Sequence, residues 1–197
     1  MAAPSSDPRV NERARQIPDF HWKGLLRGDG ALPSKPIVCA VEGYAVAGGT
    51  ELLVGTDMRV VAESATLGLF EARRALFPMG GSAIRLPRQI PYAFAMDLLL
   101  TGRAVPAAEA LRMGLVNKVV PDGEALAAAR EIAESIAACG PMAVQAILRA
   151  YRETLGMAEA EALKVSDAIG WPVIGSADAK EGSLAFREKR PAVYRGE

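Results

Sequence analysis

The sequence predicts an α/β fold in two parts, an α/β portion over residues 1–122 and a helical portion over residues 123–197. The first ground is the stretch Pro36 to Glu71, PIVCAVEGYAVAGGTELLVGTDMRVVAESATLGLFE, in which an apolar run, a small-residue turn, a short apolar helix and a second apolar run follow one another. The second is a shift in composition from Gly123 onward to alanine-rich segments, each bounded by glycine or proline, as helices in series require. The third is size: 197 residues with 50% hydrophobic content suffice for one well-buried core with a helical appendage.

Met1 to Gln16 is polar, carries Pro4 and Pro8 among charges, and reads as an exposed lead-in. Asp19 to Leu26 (DFHWKGLL) reads as a short aromatic helix, and Gly28 to Pro36 as a turn-rich link. Ile37 to Val41 is a buried strand, Gly43 to Gly49 a small-residue turn, a short helix opens near Thr50, and Met58 to Ala62 is a second strand. Beyond Glu71, Pro78 with Gly80 and Gly81 marks a loop-to-helix turn, and Ser82 stands where it would cap a helix running through Leu86. Pro91 to Thr101 is an apolar helix closed by Gly102, and Pro106 to Met113 is another with Gly114 just past its end. Leu115 to Val120 is a strand. Helices follow over Glu124 to Ala138, Met142 to Leu155 and Ala158 to Ile169, and the last begins near Ser176, its Lys189 and Arg190 suiting a negative carboxyl end.

Lysine plus arginine equals aspartate plus glutamate at 23 each, so no net charge recommends nucleic acid or an anionic membrane as partner. No apolar run reaches the roughly eighteen residues of a membrane span, and the first residues lack the apolar segment of a secretory signal. Cys39 and Cys139 lie in apolar surroundings and read as small buried hydrophobes of a reducing compartment, the cytoplasm. His21 is the only histidine and sits between Phe20 and Trp22, a packing position; no spacing of Cys, His and Asp resembles a metal site, so no metal is expected.

The chemistry concentrates between Pro36 and Glu71. Gly48 and Gly49 form a turn that lets backbone N–H groups approach a ligand, and the helix start adds unpaired donors, which favours an oxyanion. Glu51 falls in the first turn of that helix and Glu71 follows the second strand past Gly68, so that both are expected to face one pocket. Fixed donors for developing negative charge and two carboxyls for proton transfer are the minimum for chemistry beside a carbonyl.

Four segments in the same order, KPIVCAVEGYAVAGGTELLVGTDMRV, ATLGLFEARRALFP, LLLTGRAVPAAEALRMGLVNKVVP and DAKEGSLAFREKRP, make the chain from Lys35 to Pro191 resemble the crotonase superfamily, the enoyl-CoA hydratase/isomerase family. The resemblance implies a crotonase-like ββα spiral with a C-terminal α-helical oligomerisation region, and a homotrimer or dimer of trimers. It implies an acyl-CoA thioester as substrate, coenzyme A being part of that substrate and no separate cofactor being needed. It implies that Gly48 supplies one of two N–H groups to the thioester oxygen, with Gly49 beside it, and that Glu51 and Glu71 hold and split water, Glu51 as base and Glu71 as acid. Phe186 and Lys189 match positions that touch the nucleotide part of coenzyme A. Two departures stand out: Ala47 replaces a common glycine, and Phe70, Arg73 and Arg74 flank Glu71 where relatives have proline before it and a glycine-rich turn after it. Either arginine would keep Glu71 ionised by pairing with it, or would face solvent.

Relatives also carry, upstream, several strands and a small-residue motif that supplies the other oxyanion N–H, so the expectation is a chain that lacks this N-terminal part: a fragment, a late start or a shortened paralogue. Hydration of a 2-enoyl-CoA is the first functional reading. Double-bond isomerisation or other CoA-thioester chemistry is the second, and a truncated, non-catalytic oligomerising subunit is the third.

Overall fold

The computed structural model describes residues 33–197. The lead-in Met1 to Gln16, the aromatic segment Asp19 to Leu26 and His21 lie outside the described residues. The chain divides into two compact units, one comprising Cys39–Ala128 of the described residues and the other Pro33–Val38 with Ala129–Glu197.

In the first unit, strands from two sheets alternate and are followed by helices, the ββα order. β1 (Val38–Val41) leads to β2 (Tyr44–Val46) and then α1 (Gly48–Val54). β3 (Met58–Ala62) leads to β4 (Thr66–Gly68), a 3-10 turn (Ala72–Arg74), α2 (Ser82–Gln89) and α3 (Tyr92–Thr101). β5 (Val105–Pro106), α4 (Ala107–Arg112) and β6 (Lys118–Val120) complete it. One sheet has the order β1-β3-β6 and the other β2-β4-β5. β3 and β6 run parallel with Val61 opposite Val119, and β2 and β4 run parallel with Ala45 opposite Leu67. In β3 Val60, Val61 and Ala62 are fully buried, as in parallel strands covered on both faces, and Arg59 is buried beside them. Leu53, Val61, Leu67, Leu86, Leu98, Val105 and Leu115 form the core between these elements.

β3 falls where its apolar run predicts, but two short strands replace expected turns. β2 lies inside the small-residue stretch and β4 ends on Gly68 itself; each has only three residues, too few for a period to declare itself, and they pair with one another, β4 also with β5. Ser82 does not cap α2. Gly81 is the N-cap residue at φ 101°, and Ser82 is the first residue of the helix.

Arg59 ties this unit together. Buried at 7% exposure, its guanidinium donates to the carbonyls of Leu115, Val54 and Thr56 and to Gln89 Oε1 at 2.7–3.1 Å, while its backbone N–H donates to Asn117 Oδ1. Two of those carbonyls close the C-terminal end of α1, where a cation is favoured.

In the second unit, the latter part of α5 (Ala125–Ala137) is followed by α6 (Pro141–Thr154), α7 (Glu159–Ile174) and α8 (Ala177–Glu188). α7 runs five residues past its expected end at Ile169: Pro172 forgoes one donor without stopping the helix, which closes through the N–H groups of Gly175 and Ser176. Ser176 caps α8 by accepting from Ala179 N–H at 3.0 Å. The buried Asp178 carboxylate then accepts from the Arg195 and Gly196 N–H groups at 2.7 and 2.8 Å, fastening the last residues to the start of α8. Among the described residues no single helix is long and apolar enough to cross a membrane.

Candidate active site

The first unit gathers its polar buried groups around the start of α1. Ala47, the N-cap residue, has φ 51° and ψ −120°, a region that L side chains rarely adopt, and its N–H donates to the Gly68 carbonyl at 2.7 Å. Ala47 stands where members of the resembled family commonly carry glycine, the residue that this conformation favours. The bend it makes turns the chain from β2 into α1, so that Gly48 and Gly49 open the helix with amides that have no helical acceptor. Thr50 secures the bend: its buried Oγ1 accepts from Gly68 N–H at 3.0 Å and donates to the Ala45 carbonyl.

Glu51 follows one residue later, its N–H bonded to the Ala47 carbonyl, its side chain turned into the protein at 4% exposure. The carboxylate accepts from Gly80 N–H through Oε2 at 2.9 Å and from Ser82 N–H through Oε1 at 3.3 Å. Gly80 permits this approach because it has no side chain: a Cβ there would stand 2.6 Å from Oε2. A buried carboxylate is thus held by two fixed dipoles rather than by a cation.

Glu71 follows β4 along the chain. It precedes the 3-10 turn, and its carbonyl accepts from the N–H groups of Arg74 and Leu76 at 2.9 Å each. Its Oε2 is buried with no hydrogen-bond partner. Burial pushes this carboxyl above its ordinary value, its own backbone N–H works against the rise, and the charge of Glu51 adds to it. The two carboxyls therefore lie within electrostatic reach of one another. Arg73 and Arg74 do not pair with Glu71. Both are exposed, and Arg73 Nε donates to the Thr101 carbonyl at 2.8 Å.

Among the residues singled out from the sequence, the structure brings Gly48, Gly49, Glu51 and Glu71 into the first unit around the α1 start. Phe186 and Lys189 belong to the second unit. Phe186 is 85% exposed on α8 and lines a cavity with Met142, Val173 and Tyr194, and Lys189 is the C-cap residue of α8 at φ 53°. The sequence suggests only a loop-to-helix turn at Gly80 and Ser82, whereas the structure has both grip Glu51. The available signal is the repetition of a glycine doublet at a helix start, Gly48–Gly49 opening α1 and Gly80–Gly81 just before α2.

Comparison with known proteins places this geometry in context. The enoyl-CoA hydratase EchA19 of Mycobacterium tuberculosis is 61% identical over 157 residues, which cover 80% of this chain and 59% of that protein. The carnitinyl-CoA dehydratase of Proteus mirabilis is 40% identical over 167 residues, covering 83% of this chain and 64% of its own length. The chain thus spans about three fifths of the curated relatives it matches. Among solved structures, an enoyl-CoA hydratase from Mycobacterium tuberculosis superposes with a TM-score of 0.81 at 45% identity, covering 84% of this chain and 66% of that one. One from Bacillus anthracis superposes with a TM-score of 0.85 at 35% identity, covering 98% and 73%. With residues 27–197 also matching the family described as Enoyl-CoA hydratase/isomerase, the chain belongs to the enoyl-CoA hydratase/isomerase family, the crotonase superfamily.

Proposed function

We propose that the protein hydrates a 2-enoyl-CoA thioester. The observation that carries this reading is the pair of unlike carboxyls: Glu51, oriented by the Gly80 and Ser82 amides, and Glu71, raised by burial with an unpartnered oxygen. In the reaction the Gly48 N–H supports the thioester oxygen as it gains charge. Glu51 takes a proton from water, the water oxygen bonds to the β-carbon, the π pair moves through the thioester as an enolate, and Glu71 delivers its proton to the α-carbon. Hydrogen and hydroxyl thus add from the same side. The proton left on Glu51 returns to Glu71 before the next turnover.

A hydratase and a dehydratase among the relatives support water addition or removal on CoA thioesters over isomerisation. In this reading coenzyme A enters and leaves with the acyl group and no resident cofactor is needed. Gly49 lines the oxyanion turn, and the match of Phe186 and Lys189 to positions that touch coenzyme A in the family supports a nucleotide contact made by the second unit. Cys139 is exposed and Cys39 half-buried, so Cys139 is not the buried hydrophobe that its apolar neighbours suggest; that both are free thiols supports a reducing cytoplasm. Ile147, Tyr151, Trp171 and Ile174, all exposed on α6 and α7, support assembly as a homotrimer or dimer of trimers.

The test is to incubate the intact protein with crotonyl-CoA and follow the absorbance of the conjugated thioester. Loss of absorbance that disappears in the Glu51→Ala, Glu71→Ala double variant is expected. No hydration by the parent, or full hydration by the double variant, would refute the reading. Turnover of a 3-enoyl-CoA that survives in one of Glu51→Gln and Glu71→Gln would point to the isomerase instead.

A further inference from the structure

Three buried side-chain polar atoms among the described residues have no hydrogen-bond partner: Arg59 Nε, Glu71 Oε2 and Ser82 Oγ. Arg59 is accounted for by its other nitrogens, which bond to Leu115, Val54, Thr56 and Gln89. The other two both belong to residues that reach Glu51, Ser82 through its N–H at 3.3 Å and Glu71 through its charge. Ser82 is 1% exposed, and its Oγ lies three bonds from the nitrogen that touches Glu51 Oε1. A hydroxyl buried this deeply without a partner is costly, and natural proteins retain such groups where a water or substrate atom completes them. A buried water in turn takes two to four polar partners.

We propose that Ser82 Oγ is a ligand of the water that adds to the thioester, completing with Glu51 and Glu71 a three-point seat. The inference rests on the hydratase reading and adds a catalytic residue to it. The seat accounts for each valence of the water. One hydrogen goes to Glu51 and is transferred; the other is held by Ser82 Oγ; one lone pair accepts from the protonated Glu71; the remaining pair is aimed at the β-carbon. As the C–O bond forms, the π pair moves to the thioester, the Glu71 proton passes to the α-carbon, and the serine neither gains nor loses a proton. Isomerisation uses no water, so it would not need Ser82.

The test compares Ser82→Ala with the parent in the intact protein by two readouts, hydration of crotonyl-CoA and solvent-deuterium exchange at the α-carbon of butyryl-CoA, which needs the oxyanion donor and a carboxyl but no nucleophilic water. Ser82→Ala keeps the backbone N–H on Glu51 and removes only the hydroxyl. The expected result is a fall of roughly tenfold in kcat for hydration with KM unchanged, and exchange within about twofold of the parent. Hydration at the parental rate overturns the proposal, as does a fall of both readouts together, which would mark Ser82 as a packing residue. A parent that exchanges but does not hydrate overturns the hydratase reading itself, whereas a parent that hydrates alongside an unaffected variant sinks only the role of Ser82.

Discussion

The Gly80 N–H lies 2.9 Å from Oε2 of Glu51, a carboxylate 29 residues earlier in the chain, and a single methyl group at Gly80 would occupy the same space. The base of the proposed reaction is therefore oriented by a loop from beyond β4 and not by its own helix.

Gly80→Ala is expected to remove activity far more than stability. The new Cβ would stand 2.6 Å from Oε2, so the carboxylate must swing away from its place. A displacement of about 1 Å at a reacting group costs on the order of a hundredfold in rate. Steady-state hydration beside a thermal melt checks it: a loss of kcat with an unchanged melting temperature is the expected pattern.

Glu71 is expected to make both activity and stability depend on pH. Its folded-state value is raised by burial, so its contribution to stability is fully present below the ordinary carboxylate value of 4.5 and is lost as pH rises through the folded value. Glu71→Gln removes the cost of burying the charge. The difference in melting temperature between variant and parent should be larger in favour of the variant at pH 7 than at pH 4. Catalysis follows the same sign: hydration by the parent falls as pH rises through the raised value, because the acid has lost its proton.

Ala47→Gly is expected to stabilise the first unit by about 1 kcal/mol, since Ala47 sits at φ 51° and ψ −120°, where glycine is at ease and alanine is strained. Urea denaturation measures the shift of midpoint at constant slope. A destabilised variant would show that the Ala47 methyl contributes packing that outweighs the strain.

Arg59→Met is expected to cost about 3 kcal/mol or more, because the carbonyls of Leu115, Val54 and Thr56 and the Gln89 side chain would lose a buried donor together. A denaturant titration checks the size. A cost below about 1 kcal/mol would show that these acceptors find other donors.

The elements that could be read along the chain are those whose cause is local. β3 shows its apolar run, α3 ends at Gly102 in the left-handed conformation, α4 starts after Pro106, and α8 starts at Ser176, each by chemistry contained within a few residues. Glu51 and Glu71 stood out for the same reason, as carboxyls in an apolar stretch beside glycines. β2 and β4 were hidden because three residues carry no period and each is defined by its pairing with strands distant in the chain. Ser82 looked like a cap because serine before a helix often is one, whereas Gly81 took that place and left the hydroxyl buried.

By itself, then, the order of residues determined where the chain bends, which segments are helical and which carboxyls lie near a donor-rich turn, since these follow from backbone preference and short-range hydrophobic pattern. Only the tertiary structure decided that Gly80 and Ser82 close on Glu51 and that burial, not a neighbouring arginine, governs Glu71. Contacts across 29 and 31 residues depend on how α1, β4 and α2 pack, and packing is a property of the whole core that no single stretch encodes.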